Sequence, residues 1–344
     1  MDTILSKLNT NEITDEITDE ITENIISIDD TDIKTFLNNN RDINILWGVQ
    51  PRDKPTLEFL IPIMQIMKFL KHGIKLTILL ADIHELLESP HLDMNIIKYR
   101  CEAYKELITQ LIELFDVNPG NIIFYYGSDF QTSSNYTMDI YKISSLTSIK
   151  DTYKSREIDM TDIDISINSS DKKMTNMLYP ILQALDEKYT NCDAFYGSIT
   201  QKNMCMFSKN LMKNFRNNEK NIVYMLQDIT KKIDISFFDP MDTVINKLND
   251  FPIDDIYYLC EHILFPLLYY KSDKIIIDTK IIENYKDFTE YISLKKIEKN
   301  KIVEIVSESL SKHLDKFYYE LIDSRFMYYF DKGWIGAPSN YFFL

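Results

Sequence analysis

Three short apolar runs, at 43–47, 76–80 and 122–126, alternate with two long segments whose apolar residues recur at helical spacing. In 56–72 the periodic residues are Leu57, Leu60, Ile61, Met64, Met67 and Leu70, with Gly73 as a stop. In 95–115 Tyr104, Leu107, Ile108, Leu111 and Leu114 fall in phase, and Asn118-Pro119-Gly120 makes a turn before the third run. Strands apolar on both faces, joined by helices, predict an α/β fold: a Rossmann-like parallel sheet with helices on both faces. Ligands of such sheets sit beyond the carboxyl ends of the strands. The loop 48–56 therefore occupies the expected ligand position.

Further along, 178–189 reads as a helix, and 239–248, 253–270 and 297–323 form a mostly helical C-terminal region. On the last of these Ile302, Ile305, Val306, Leu310, Leu314 and Phe317 share a face. The polar stretch 155–176 reads as a surface loop or insertion, and the aromatic tail 333–344 as a segment docked on the core. The repeat NEITDEITDEITE at 11–23 puts Ile13, Ile17 and Ile21 in one stripe of a helix or in a mobile acidic arm. The expected division is an acidic low-complexity arm or helix at 1–38, a Rossmann-like domain at 39–235 and a helical domain with an aromatic tail at 236–344.

Composition removes several function classes. Seven glycines with no G-x-G leave no phosphate-cradling loop, which excludes P-loop and simple dinucleotide-binding proteins. Four cysteines without a C-x-x-C pair read as free thiols, and five histidines lack metal-ligand spacing, so neither disulfide nor metal is expected. No apolar run approaches the ~18 residues of a membrane span, and a cytoplasmic location is expected. A formal net charge of −15 disfavours general nucleic-acid binding, which draws its affinity from phosphate neutralisation.

Several short motifs, in a shared order over roughly residues 40–320, resemble the eukaryotic and archaeal branch of tyrosyl-tRNA synthetases. Trp47-Gly48 resembles its strand-end W-G, and Ala81-Asp82-Ile83-His84 its A-D-x-H turn. Gly127-Ser128-Asp129-Phe130-Gln131 and Tyr136-Thr137-Met138-Asp139-Ile140-Tyr141 resemble the region that follows. The strongest match is Leu178-Tyr179-Pro180-Ile181-Leu182-Gln183-Ala184-Leu185-Asp186, similar to L-Y-P-x-x-Q-A-x-D, with Gly197-Ser198-Ile199-Thr200-Gln201 at the family's spacing. His262-Ile263-Leu264-Phe265-Pro266-Leu267 looks like the opening helix of the family's C-terminal domain.

The resemblance implies a tyrosine pocket. Tyr179 and Gln183 match groups that bind the substrate α-amino group, as does Gln201, and Asp186 matches the carboxylate that receives the substrate phenol. Spacing of i, i+4 and i+7 puts Tyr179, Gln183 and Asp186 on one side of a helix. One family phenol contact, a tyrosine just before W-G, is replaced by Leu46.

The same resemblance implies a broken ATP site. The position of the H-I-G-H motif reads Thr56-Leu57-Glu58-Phe59, preceded by Asp53 where the family has glycine. Two donors are lost and two carboxylates gained where phosphate charge must be stabilised. Between Val223 and Asp234 no K-M-S-x-S exists, and Lys231 and Lys232 are the cations there. Gly48 and Gly197 remain as remnants of the nucleotide site, whereas Thr200 replaces the aspartate that holds the ATP ribose.

Three functions stay open on this reading. One is a non-catalytic protein that binds L-tyrosine or, weakly, tRNA through Lys295, Lys296, Lys299, Lys301 and Lys312, without ATP as cofactor. Another is an active ligase in which Arg52, Lys54 or Lys231 has moved to the phosphates. The third is a scaffold without a small ligand. A homodimer is implied, because the family's interface resembles 127–148.

Overall fold

The computed structural model describes residues 15–28, 31–40, 42–157, 173–215, 221–322 and 325–334. Its main sheet has six strands: β1 Ile25–Ser27, β2 Asn44–Val49, β3 Lys75–Leu80, β4 Ile122–Tyr126, β5 Ala194–Ser198 and β6 Val223–Gln227. They lie in the order β1-β6-β5-β2-β3-β4. All neighbours pair in parallel except β1, which runs antiparallel to β6. From β2 the chain proceeds outward to β3 and β4 and then returns to β5 and β6 on the other side. The strand order therefore reverses between β2 and β5, where doubly wound sheets open a ligand crevice.

The chain divides into two compact units that interleave in sequence. One comprises residues 1–52, 68–101 and 118–230, and the other 53–67, 102–117 and 231–344. The expected single cut after residue 235 does not hold, because two stretches from the first half group with the C-terminal half. Of the two alternatives for 1–38, an acidic arm or a helix, the described residues form helices. Helix Asp15–Thr22 packs on helix Ile33–Asn39, Thr18 bonds Asn38 at 3.0 Å, and Ile21 is buried. Strand β1 then extends the sheet beyond β6. The stripe residue Ile13 and the side chain of Ile17 lie outside the described residues, as do 158–172 of the expected insertion and 335–344 of the aromatic tail.

In the sheet unit, β2 and β3 are nearly continuous in apolar residues because both are central and covered. Leu46, Leu79, Phe195 and Leu226 build one cluster, with Phe130 packed against it. Across the sheet Phe69 meets Tyr196 edge-on, with ring centroids 5.6 Å apart. Strand β4 departs from the expected two-sided cover: Ile123 and Tyr125 are 51% and 38% exposed on the outermost strand.

The second unit is mostly helical. The expected helix at 56–72 starts late: Thr56 is extended, Leu57–Phe59 forms a 3-10 turn, and the α-helix runs Leu60–Lys71. Gly73, at φ +75°, ends it in the left-handed conformation that suits glycine. The stretch 253–270, expected within a mostly helical region, is Ile253–Leu259, a π turn Cys260–Leu264 and Phe265–Tyr270. Pro266 has no N–H to give, and the widened turn lets Phe265 N–H reach back to Cys260. A hairpin of β7 Ile275–Ile277 and β8 Lys280–Ile282 precedes the long helix Lys299–Ile322.

Candidate tyrosine-type binding site

The helix Thr175–Tyr189 carries Tyr179, Gln183 and Asp186 in the sheet unit. Gln183 and Asp186 are buried and Tyr179 is half-buried. Asp186 Oδ1 accepts hydrogen bonds from Gln131 Nε2 at 2.7 Å and from the Tyr136 hydroxyl at 2.8 Å. That hydroxyl also lies 3.0 Å from the Leu182 carbonyl. The other oxygen, Oδ2, faces His84 Nε2 at 3.7 Å, and the His84 ring stands edge-on to Tyr179 at 4.5 Å between centroids. Burial pushes the Asp186 carboxyl up to about 7, although the bonds from Gln131 and Tyr136 pull it down. Burial, with the Arg156 charge, lowers His84 to about 4, so its ring is neutral at pH 7.

A second buried carboxylate fixes the geometry. Asp82 accepts from Ser128 N at 2.9 Å, from Ser128 Oγ at 2.5 Å and from Ile83 N at 2.8 Å. A Cβ at Gly127 would stand 2.8 Å from Asp82 Oδ1 and 2.7 Å from Gln131 Oε1. A side chain there would crowd Gln131, whose amide reaches Asp186. Removing the Tyr136 hydroxyl by Tyr136→Phe takes one of two donors from a buried carboxyl. Chemical denaturation should show a loss of about 1–3 kcal/mol; an unchanged midpoint would contradict the role given to this bond.

Toward the other end, the Tyr179 hydroxyl donates to Gln50 Oε1 at 3.1 Å, and Gln50 Nε2 donates to Glu85 Oε2 at 2.9 Å. Arg52 pairs with Glu88 at 3.2 Å, and Arg156 with Glu88 at 2.7 Å. The Arg156 guanidinium lies over the Tyr179 ring at 4.7 Å. Tyr179 thus spends its proton on Gln50, while its oxygen keeps a lone pair able to accept from an ammonium.

Not every expected residue joins this group. Gln201, in the 3-10 turn Ile199–Gln201, turns its Oε1 back to the Ser198 N–H at 3.2 Å and caps its own turn. Thr200 is exposed and donates to Ser198 Oγ at 2.9 Å. Gly197 is required by this local packing, since a Cβ would meet Gln201 Oε1 at 2.3 Å. Gly48 differs: it lies in the central strand β2, yet it is exposed, and its missing Cβ would meet open space. Leu46 is buried in the apolar cluster and offers no polar contact. The partners of Asp186, namely Gln131, Tyr136 and His84, were visible only as letters within matched motifs, with no spacing signal to assign them a role.

In the second unit, the turn Thr56-Leu57-Glu58-Phe59 is tied to the segment 233–236. Leu57 N–H donates to Ile235 O at 2.8 Å, Thr56 bridges Ser236, and Glu58 Oε2 accepts from Ile233 N at 2.9 Å. Burial raises the Glu58 pKa in spite of that bond. Phe59 packs edge-on to Tyr104 at 5.3 Å. Lys231 pairs with Asp255 at 2.8 Å and donates to the Asp254 carbonyl at 3.1 Å. Lys54 lies over the Phe330 ring at 5.6 Å.

A parallel sheet that reverses order between β2 and β5, with an open glycine at the end of its central strand, is the frame of a class I synthetase. Residues 38–246 match the family of tRNA synthetases class I (W and Y), and the chain belongs to that family. Within it the likeness is to the tyrosyl enzymes. The chain is 26% identical over 297 residues to a probable cytoplasmic tyrosine–tRNA ligase of Vairimorpha ceranae, covering 82% of this chain and 87% of that protein. It is 27% identical over 310 residues to the corresponding protein of Encephalitozoon cuniculi, covering 80% and 90%. The fold is shared with the tyrosyl-tRNA synthetase of Archaeoglobus fulgidus, solved complexed with L-tyrosine, at a TM-score of 0.73 and 18% identity over 89% of this chain and 98% of that one.

Proposed function

We propose that this chain is a tyrosyl-tRNA synthetase relative that binds L-tyrosine but does not activate it with ATP. The observation that carries the reading is the stitching of 56–58, where the family resemblance puts the H-I-G-H motif, to 233–236, which begins at the segment that the resemblance puts after the lysine-rich loop. Activation needs donors and cations aimed at an α-phosphate. Here Glu58 puts a carboxylate on the Ile233 N–H, and Lys231 is held by Asp255. Arg52 and Lys54, the other candidate cations, are engaged with Glu88 and Phe330. Retention of tyrosine binding is supported by the buried Asp186 cluster and by the free lone pair of Tyr179.

A second reading, an active ligase with displaced ATP ligands, draws support from the open space over Gly48. Calorimetric titration of the full chain separates the two. Tyrosine should bind with the same affinity with and without ATP and Mg²⁺; heat that appears only with both substrates contradicts the proposal.

The remaining properties follow the same family logic. Exposed apolar residues on and near β4 and helix Ser134–Ser144, among them Ile123, Met138 and Tyr141, support a homodimer. The relatives are named cytoplasmic, and we place this chain there too. Any tRNA contact is weak: of the five candidate lysines, Lys301 is paired with Glu304 and Lys299 is bonded to the Asn249 carbonyl.

A further inference from the structure

Tyr179 already carries a cation. Arg156 follows the helix Ile149–Ser155, and its guanidinium lies over the Tyr179 ring, 4.7 Å from the centroid. Two side chains hold it there: Nη2 stands 2.7 Å from Glu88 Oε1, and Nη1 donates to Asn176 Oδ1 at 3.1 Å. The residue is half-buried, and ring, carboxylate and amide fix its planar head on three sides. Its charge reaches into the pocket. Burial raises the Tyr179 pKa and lowers that of His84, and the positive charge of Arg156 is the next cause in both, lowering each.

The neighbouring carboxylates are matched to guanidiniums as well. Glu88 Oε2 lies 3.2 Å from Arg52, and Glu85 Oε2 and Oε1 lie 3.8 Å from Arg52 and 3.7 Å from Arg100. Each of the four oxygens of Glu85 and Glu88 therefore has a guanidinium beside it, and three guanidiniums against two carboxylates leave one positive charge in excess. Asp186, toward the other end, is engaged by Gln131 and Tyr136. The family resemblance puts a ligand's α-amino group at Tyr179 and Gln183. An ammonium there meets a like charge at close range, whereas a carboxylate meets an opposite one. We propose that Arg156 is a specificity-determining residue, and that it turns this pocket toward phenolic carboxylic acids that lack an α-ammonium. The inference rests on the reading of the pocket as one for tyrosine-like ligands, and it ranks tyrosine below its desamino analogue. Such an acid leaves the guanidinium on Tyr179 in place; tyrosine brings a second cation against it. Two unit charges about 6 Å apart, at an effective dielectric constant between ~20 and ~80, change affinity by about 3- to 100-fold.

The test is isothermal titration of the full chain with L-tyrosine and with desaminotyrosine, for the unaltered protein, Arg156→Gln and Arg156→Lys. The unaltered chain should bind desaminotyrosine more tightly, by about 3- to 100-fold. Arg156→Gln keeps an amide donor and loses the charge, so the ratio should fall toward parity; Arg156→Lys should keep it. A merely structural arginine would weaken both ligands alike and leave the ratio intact. Equal or tighter binding of tyrosine by the unaltered chain, or a ratio that Arg156→Gln does not move, overturns this inference and leaves the tyrosine-binding reading standing. Binding of desaminotyrosine without tyrosine supports the inference and overturns that reading. Binding of neither overturns both. Where the variants do not fold, tyramine, which has the ammonium without the carboxylate, decides on the unaltered chain. It should bind more weakly than desaminotyrosine; binding as tight or tighter rejects the role.

Discussion

Asp186→Asn will weaken L-tyrosine binding by about 10- to 100-fold at pH 8 and will remove a pH-dependent fall in stability. The first effect follows from the side chain's two faces. An amide oxygen can keep the bonds from Gln131 and Tyr136 on Oδ1, but an NH₂ then stands where Oδ2 accepts. The second follows from linkage. Burial raises the folded-state pKa of Asp186 from 3.8 to about 7, so the folded chain holds a proton that the unfolded chain releases. That contribution to stability is complete below the unfolded value and is lost as pH rises through 7, by up to about 4 kcal/mol at pH 8. His84 has the opposite slope: its pKa is lowered from 6.5 to about 4, so stability is lost as pH falls between those values. The two oppose each other over pH 4–6.5, so the Asp186 slope stands alone only from pH 6.5 to 8, where about 1 kcal/mol of its loss remains. Denaturation midpoints of the variant should be flatter there than those of the unaltered chain; parallel curves would show that Asp186 does not carry the buried proton.

ATP will not stabilise the chain. A nucleotide site filled at about one hundred times its Kd would add ~2.7 kcal/mol and raise Tm by several degrees. The groups that would meet a triphosphate are already satisfied within the protein: Glu58 by the Ile233 N–H and Lys231 by Asp255. Freeing Lys231 breaks that pair, and bringing phosphate near the Glu58 carboxylate adds repulsion of about 1–4 kcal/mol at ~4 Å. Thermal melts with about 10 mM ATP and Mg²⁺ should therefore move by less than about one degree. A rise of several degrees would place a working nucleotide site in this protein.

Much of this architecture was legible in the sequence because its signals were local. The runs at 43–47 and 76–80 are apolar throughout since β2 and β3 are covered on both faces, and the helix 95–115 announced itself by period. Strand β1 was hidden: three residues after an acidic repeat carry no alternation, and only pairing with β6 makes them a strand. The exposed face of β4 was misread for a related reason, since Ile123 and Tyr125 look like core residues to any reading of composition. At the site, Tyr179, Gln183 and Asp186 were identified through the family resemblance, and their helical spacing predicts the shared side of one helix. Gln201 was placed by motif alone, and a capping bond with Ser198, favoured by proximity in the chain, holds it elsewhere. The pairing of Asp186 with Gln131 and Tyr136 spans 55 and 50 residues and uses the room left by Gly127, which no local pattern encodes.

The central claim, tyrosine binding without activation, is tested most directly by tyrosine-dependent ATP–pyrophosphate exchange with the purified full chain, run beside Thr56→His/Glu58→Ala. The account predicts no exchange above the no-enzyme background for the unaltered chain, in a preparation that binds tyrosine by calorimetry. Clear exchange by the unaltered chain would contradict it and would mean that Arg52, Lys54 or Lys231 leaves its present partner to meet the phosphates.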